Sequence, residues 1–122
     1  MSKIKEVNSK EELGDILSEE KMVLLNFSAI WCGPCRMLGP ELELVSEEVE
    51  DVTIVKVNVD DNPELSAEYG VRSIPVVFVI KDSKEIDKFV GLKKKDEIVS
   101  IIERNSSEEP EASEDNKNES ED

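Results

Sequence analysis

MVLLNFSAIWCGPCRMLGPELELVSEEV, residues 22–49, places a strand, a pair of cysteines and a helix in immediate succession. Met22 to Phe27 is almost continuously apolar, the pattern of a strand covered on both faces and so of a sheet flanked by helices. From Pro34 onward Leu38, Leu42, Val45 and Val49 recur with helical spacing, which predicts a helix beginning beside the cysteines. Pro40 lies inside that helix, where it removes one backbone hydrogen bond and is expected to kink the first turns. Cys32 and Cys35 therefore fall at a strand-to-helix junction.

Working outward, Lys3 to Val7 reads as a short edge strand. Ser9 and Glu12 are spaced as a capping box ahead of Leu13, Ile16 and Leu17, one face of a first helix. Downstream, Val52 to Val59 is β-branched and strand-like. Asn62-Pro63 supplies an N-cap and a proline at the first helical position, and Gly70 can end that short helix after Tyr69. Val76 to Ile80 and Glu85 to Val90 are two strands joined by a polar turn at Asp82-Ser83, an antiparallel hairpin. Ile98, Ile101 and Ile102 line one face of a last helix, with no good capping side chain before it. The pattern is α/β, a mixed sheet with helices on both faces and no internal repeat.

The 122 residues, 38% of them apolar, suffice for one core and one domain. Thirty acidic against fifteen basic side chains give a formal charge of −15. That is a poor match for nucleic acid or an anionic membrane surface, both of which attract basic patches. The first residues carry no apolar run or cleavage site, and no segment reaches the roughly 18 apolar residues of a membrane span, so a cytoplasmic location is expected. Thiols are kept reduced there, and paired cysteines are catalytic or metal-binding more often than structural. Residues 105–122, NSSEEPEASEDNKNESED, hold eight acids and one lysine, leaving −8 on residues 1–104. The expected organisation is a domain over 1–104 and a disordered acidic tail over 105–122, serving as a solvating appendage or as a docking arm for a basic partner.

Cys32 falls near a helix N-terminus, where unpaired N–H groups and the helix dipole favour an anion, so its thiolate should form at lower pH than that of a free cysteine. It is the candidate nucleophile. Cys35, one helical turn further in, can close a small disulfide ring with Cys32 and is expected to be less accessible to a substrate. Gly33 and Pro34 suit the turn into the helix. Structural zinc wants four ligands, and the chain has no other cysteine and no histidine. A four-residue loop also makes a poor structural staple. The absence of histidine removes Ser-His and Cys-His hydrolysis, and no Gly-rich phosphate loop is present. Redox chemistry is what remains.

FSAIWCGPCRMLGPELE at 27–43, VNVDDNPELSAEYGVRSIPVVFVIKD at 57–82 and Gly91 after the last strand resemble the thioredoxin family over residues 3–104. The resemblance implies the thioredoxin fold, a central mixed sheet of about five strands flanked by four helices. It implies a dithiol electron carrier that reduces protein disulfides through a redox-active Cys32–Cys35 disulfide, with no bound cofactor and no metal. The implied partners are disulfide-containing client proteins and a flavin-dependent thioredoxin reductase using NADPH, with the chain itself a monomer. By the same resemblance Pro75 has a cis peptide bond and lies against the cysteines, while the backbone of Ile74 pairs with substrate. Trp31, Gly33, Pro34, Ile74, Val90 and Gly91 match the family's apolar docking surface. Asn26 departs from the pattern, because family members usually carry a buried aspartate there that helps deprotonate the resolving cysteine. An amide cannot accept that proton, so the expectation is a more stable domain with slower resolution by Cys35, the alternative being that Asn26 only packs, and Lys56 loses the aspartate it usually neighbours. Ser28 stands where some members have a second tryptophan. Two other readings are a binding or co-chaperone module using the same surface, and a dedicated reductant of one client enzyme.

Overall fold

Residues 22–27, apolar but for Asn26, are all buried and lie in the middle strand of a five-stranded sheet. The computed structural model describes residues 4–106. In chain order the elements are β1 (Ile4–Glu6), α1 (Lys10–Glu19), β2 (Met22–Ser28), α2 (Gly33–Glu48), β3 (Thr53–Asn58), α3 (Pro63–Glu68), β4 (Val76–Lys81), β5 (Lys84–Val90) and α4 (Lys95–Asn105). The strands lie in the order β1-β3-β2-β4-β5. β3 runs parallel to both β1 and β2, whereas β4 is antiparallel to β2 and β5 to β4, so the sheet is mixed.

Alternation along the strands divides the interior into two layers. Val23, Leu25 and Phe27 pack with Val55, Val57 and Phe78 under Leu13 of α1 and Leu65 of α3. Phe27 and Phe78 meet edge to face at 5.8 Å, and Tyr69 tilts against both rings. On the opposite face Leu24, Ile54 and Val79 pack with Leu38, Leu42 and Val45 of α2 and Ile98 and Ile102 of α4. Each such fully buried Leu, Ile or Phe side chain contributes about 1.5–3 kcal/mol through removal from water.

The element ends show where local pattern governs and where it does not. Ser9 Oγ accepts from the Glu12 N–H at 3.1 Å, while the Glu12 carboxylate reaches past Ser9 to the Asn8 N–H at 2.7 Å. Asn62 stands at the N-cap of α3, but its side chain makes no cap bond there and instead donates to the Asn58 carbonyl at 3.0 Å. Gly70 follows α3 at φ +64°, and Asp82 and Ser83 both have positive φ, as a tight two-residue hairpin turn requires. α4 lacks a conventional capping side chain, and its first amides are met by carboxylates. Glu97 accepts from the Lys94 N–H at 3.0 Å, and Glu41, far off in sequence on α2, accepts from the Lys95 N–H at 2.7 Å.

α4 extends through Asn105, one residue beyond the boundary that the charge pattern gives. Asp87 on β5 receives the Asn105 amide at 2.9 Å and the Arg104 guanidinium at 2.8 Å. Burial pushes the Asp87 carboxyl up, but these two hydrogen bonds and one from the Lys88 N–H outweigh it and hold the group below its ordinary range. The acidic segment from residue 107 onward lies outside the described residues.

Candidate functional site

Cys32 is the N-cap of α2, still in extended backbone, and Gly33-Pro34 take the first helical positions where the missing proline N–H has no helical partner to lose. Cys35 follows one turn in. The two cysteines form a disulfide, with Cα atoms 5.2 Å apart, and the Cys35 N–H donates to Cys32 Sγ at 3.2 Å. Ile74–Pro75 is a cis peptide, and the Ile74 carbonyl oxygen lies 4.0 Å from Cys32 Sγ. Gly91, at φ +92°, donates its N–H to the Pro75 carbonyl at 2.8 Å, and Val90 pairs with Val76. Segments 31–35, 74–75 and 90–91 therefore meet around the sulfurs.

The two cysteines are equally buried, 6% exposed for Cys32 and 7% for Cys35, so the expected difference in accessibility is not present in this oxidised state. The disulfide ties the N-cap of α2 to its first turn. What separates them is surroundings: Cys32 faces Ile74, and Cys35 lines a cleft on the sheet side.

Trp31 is 65% exposed rather than packed in the core, and its indole Nε1 donates to Asp60 Oδ2 at 2.7 Å. Gly33, Pro34 and Val90 are exposed as well, Ile74 and Gly91 are half-buried, and Pro75 is buried. Ile30, Met37 and Leu92 add exposed apolar surface that the sequence reading did not single out. Asp60 was likewise not legible, since nothing local ties it to a tryptophan 29 residues earlier.

Asn26 lies on the α2 face of the sheet and is 2% exposed. It is in register with Lys56 on β3, and Lys56 is in register with Glu6 on β1. These three side chains and Cys35 line a cleft of about 290 Å³. Asn26 Oδ1 has no hydrogen-bond partner among the described residues. A buried acceptor needs a hydrogen-bond partner, and the cleft that Asn26 lines is large enough to hold water. Glu6 comes to this cleft through cross-strand register, which is invisible in the sequence of a three-residue edge strand.

A larger cleft of about 620 Å³ lies at the other end of the sheet, among Met22, Val52, Lys81 and Ile102, and contains neither cysteine. Among the described residues no three His, Cys, Asp or Glu side chains are placed to hold a metal ion. No helix among them is long and apolar enough to cross a membrane.

A family model described as thioredoxin matches residues 3–104. The chain belongs to the thioredoxin family. It is 51% identical over 85 residues to a thioredoxin of Chlamydia caviae, a match covering 70% of this chain and 83% of that one. To a thioredoxin of Mycoplasmoides gallisepticum it is 43% identical over 99 residues, covering 81% and 99%. Among solved structures, a mutant thioredoxin from Halobacterium salinarum superposes with a TM-score of 0.82 at 36% identity, covering 88% of this chain and 94% of that one. The chain is thus a thiol-disulfide oxidoreductase whose working group, as in other thioredoxins, is a redox-active disulfide, here Cys32–Cys35.

Proposed function

We propose that this thioredoxin is a general reductant of client proteins, with Cys32 as nucleophile and Cys35 as resolving thiol. The observation that carries the division of labour is the disulfide at the N-terminus of α2, with Cys32 turned toward the cis Ile74–Pro75 segment and Cys35 lining the cleft on the sheet side. In the reduced protein the helix end and the Cys35 N–H favour a Cys32 thiolate. A client lays an extended segment beside Ile74, over Trp31, Gly33, Pro34, Val90 and Gly91, with Pro75 fixing the loop beneath it. The thiolate attacks one client sulfur, the other leaves as a thiolate and takes a proton, and a mixed disulfide joins Cys32 to the client. Cys35 then loses its proton and attacks Cys32 Sγ, releasing the second client thiolate. The client gains two electrons and two protons, and the carrier leaves oxidised. A thioredoxin reductase drawing on NADPH closes the cycle, in the cytoplasm, where the chain contributes to cell redox homeostasis.

Asn26 and Lys56 line the same cleft as Cys35, and with no carboxylate at position 26 the resolving step is slower than in members that have one. NADPH-coupled reduction of insulin disulfides tests the function. Native protein should turn over with a general thioredoxin reductase, and Cys32→Ser and Cys35→Ser should not. Failure of the native chain even after direct reduction with dithiothreitol would favour the binding-module or single-client readings.

A further inference from the structure

The row of side chains beneath Cys35 crosses three strands. Glu6 on β1, Lys56 on β3 and Asn26 on β2 occupy one register level, and parallel neighbours at one level project to the same face. That face is the one α2 covers, because Leu24 and Ile54, two residues back along β2 and β3, pack against Leu38 and Leu42. Gly39 of α2 lines the same cleft, and an added Cβ there would meet nothing within 4 Å.

The charged and titratable groups lining the cleft are Glu6, Lys56, Arg36 and Cys35, and among the described residues that line it Glu6 is the only carboxylate. The chain has no histidine to serve as a base. Asn26 Oδ1, almost wholly buried and without a partner among the described residues, is an acceptor at the Cys35 end of the row, while exposed Glu6 lies at the solvent end. Lys56 stands between them and can hold water to both by donating its N–H groups.

We propose that Glu6 is the proton acceptor for the resolving step, receiving the Cys35 proton through water held by Asn26 and Lys56. This rests on the reading of Cys35 as the resolving thiol. In the mixed disulfide the Cys35 S–H proton passes along the relay and the Glu6 carboxylate becomes a carboxylic acid. The Cys35 thiolate then forms its bond to Cys32 Sγ, and the Cys32–client S–S bond breaks with its electron pair on the client sulfur. Glu6 returns the proton to solvent. Asn26 and Lys56 are positioning residues in this scheme.

The test is single-turnover reaction of the reduced full-length chain with an aromatic disulfide that releases a coloured thiol. Attack by Cys32 releases one equivalent and attack by Cys35 a second, so the native chain failing to give the first would count against the reductant reading, not against Glu6. A base positioned directly on a proton is typically worth 10²–10⁴-fold, and a water-relayed one less, so Glu6→Gln should slow the second release relative to the first by about 10-fold. Without Glu6 the Cys35 proton can leave only to solvent, so the second release should fall more steeply as pH drops than in the native chain, and Asn26→Asp added to Glu6→Gln should restore the rate by placing a carboxylate in the cleft itself. An unchanged ratio overturns the proposal. So does a slowing that is equal at every pH and not relieved by Asn26→Asp, the mark of a structural disturbance.

Discussion

The two faces of the central sheet share β2, β3 and β4, yet they do different work. On the α1/α3 face the apolar alternation continues unbroken to the end of β2, with Phe27 packed on Phe78 and Tyr69. On the α2 face the alternation stops one step short of the disulfide, where Leu24 and Ile54 give way to Asn26 and Lys56. The first face is a continuous apolar layer, with Ile74 packed at its edge. The second gives up an apolar layer and sets a buried acceptor in the cleft that Cys35 also lines. Polar groups that packing would not select are where a fold declares its chemistry.

Breaking the apolar face should have the largest effect on stability. Phe27→Ala removes a fully buried ring and should cost about 3–5 kcal/mol in urea unfolding, while thiol exchange per folded molecule is retained. Placing a charge on the polar face comes next. Asn26→Asp buries a carboxyl whose folded-state pKa must rise above its unfolded value, so the penalty is absent in acid and grows as pH rises from about 4 through the folded value. At neutral pH it should reach about 2–3 kcal/mol, together with a faster resolving step, and unfolding at several pH values beside the two-phase thiol release reads both.

Two smaller changes sharpen the contrast by lying outside both faces. Asp87→Asn should cost on the order of 1 kcal/mol at neutral pH, because the hydrogen bonds from Asn105 and Arg104 favour the charged form. The folded-state value is depressed, so that contribution is complete above the ordinary carboxylate range and fades as pH falls through the folded value. Trp31→Phe loses the bond to Asp60 from an exposed side chain and should change stability by less than about 1 kcal/mol, with the main effect on the rate of client reduction.

The element order was legible because each element carries its own period or punctuation. The buried run of β2, the Leu38/Leu42/Val45 face of α2 and the Asp82-Ser83 turn all appear where the pattern puts them. The cysteine pair and Ile74–Pro75 were legible as motifs. What the sequence withheld depends on partners distant along the chain. Glu41 caps α4 from α2, Asp60 holds the Trp31 indole, and Glu6 joins the row under Cys35 only because β1 pairs with β3 at one register. Asn62 misled for a related reason: its residue type suits an N-cap, but a nearby carbonyl on the end of β3 competes for the same side chain.

The most direct test of the two-cysteine account is to react each single-cysteine variant in reduced form with a disulfide-bonded client and resolve the products by mass. The account predicts that Cys35→Ser accumulates a covalent conjugate through Cys32 that dithiothreitol releases, and that Cys32→Ser accumulates little or none. Conjugates formed equally by both variants, or only through Cys35, would contradict it.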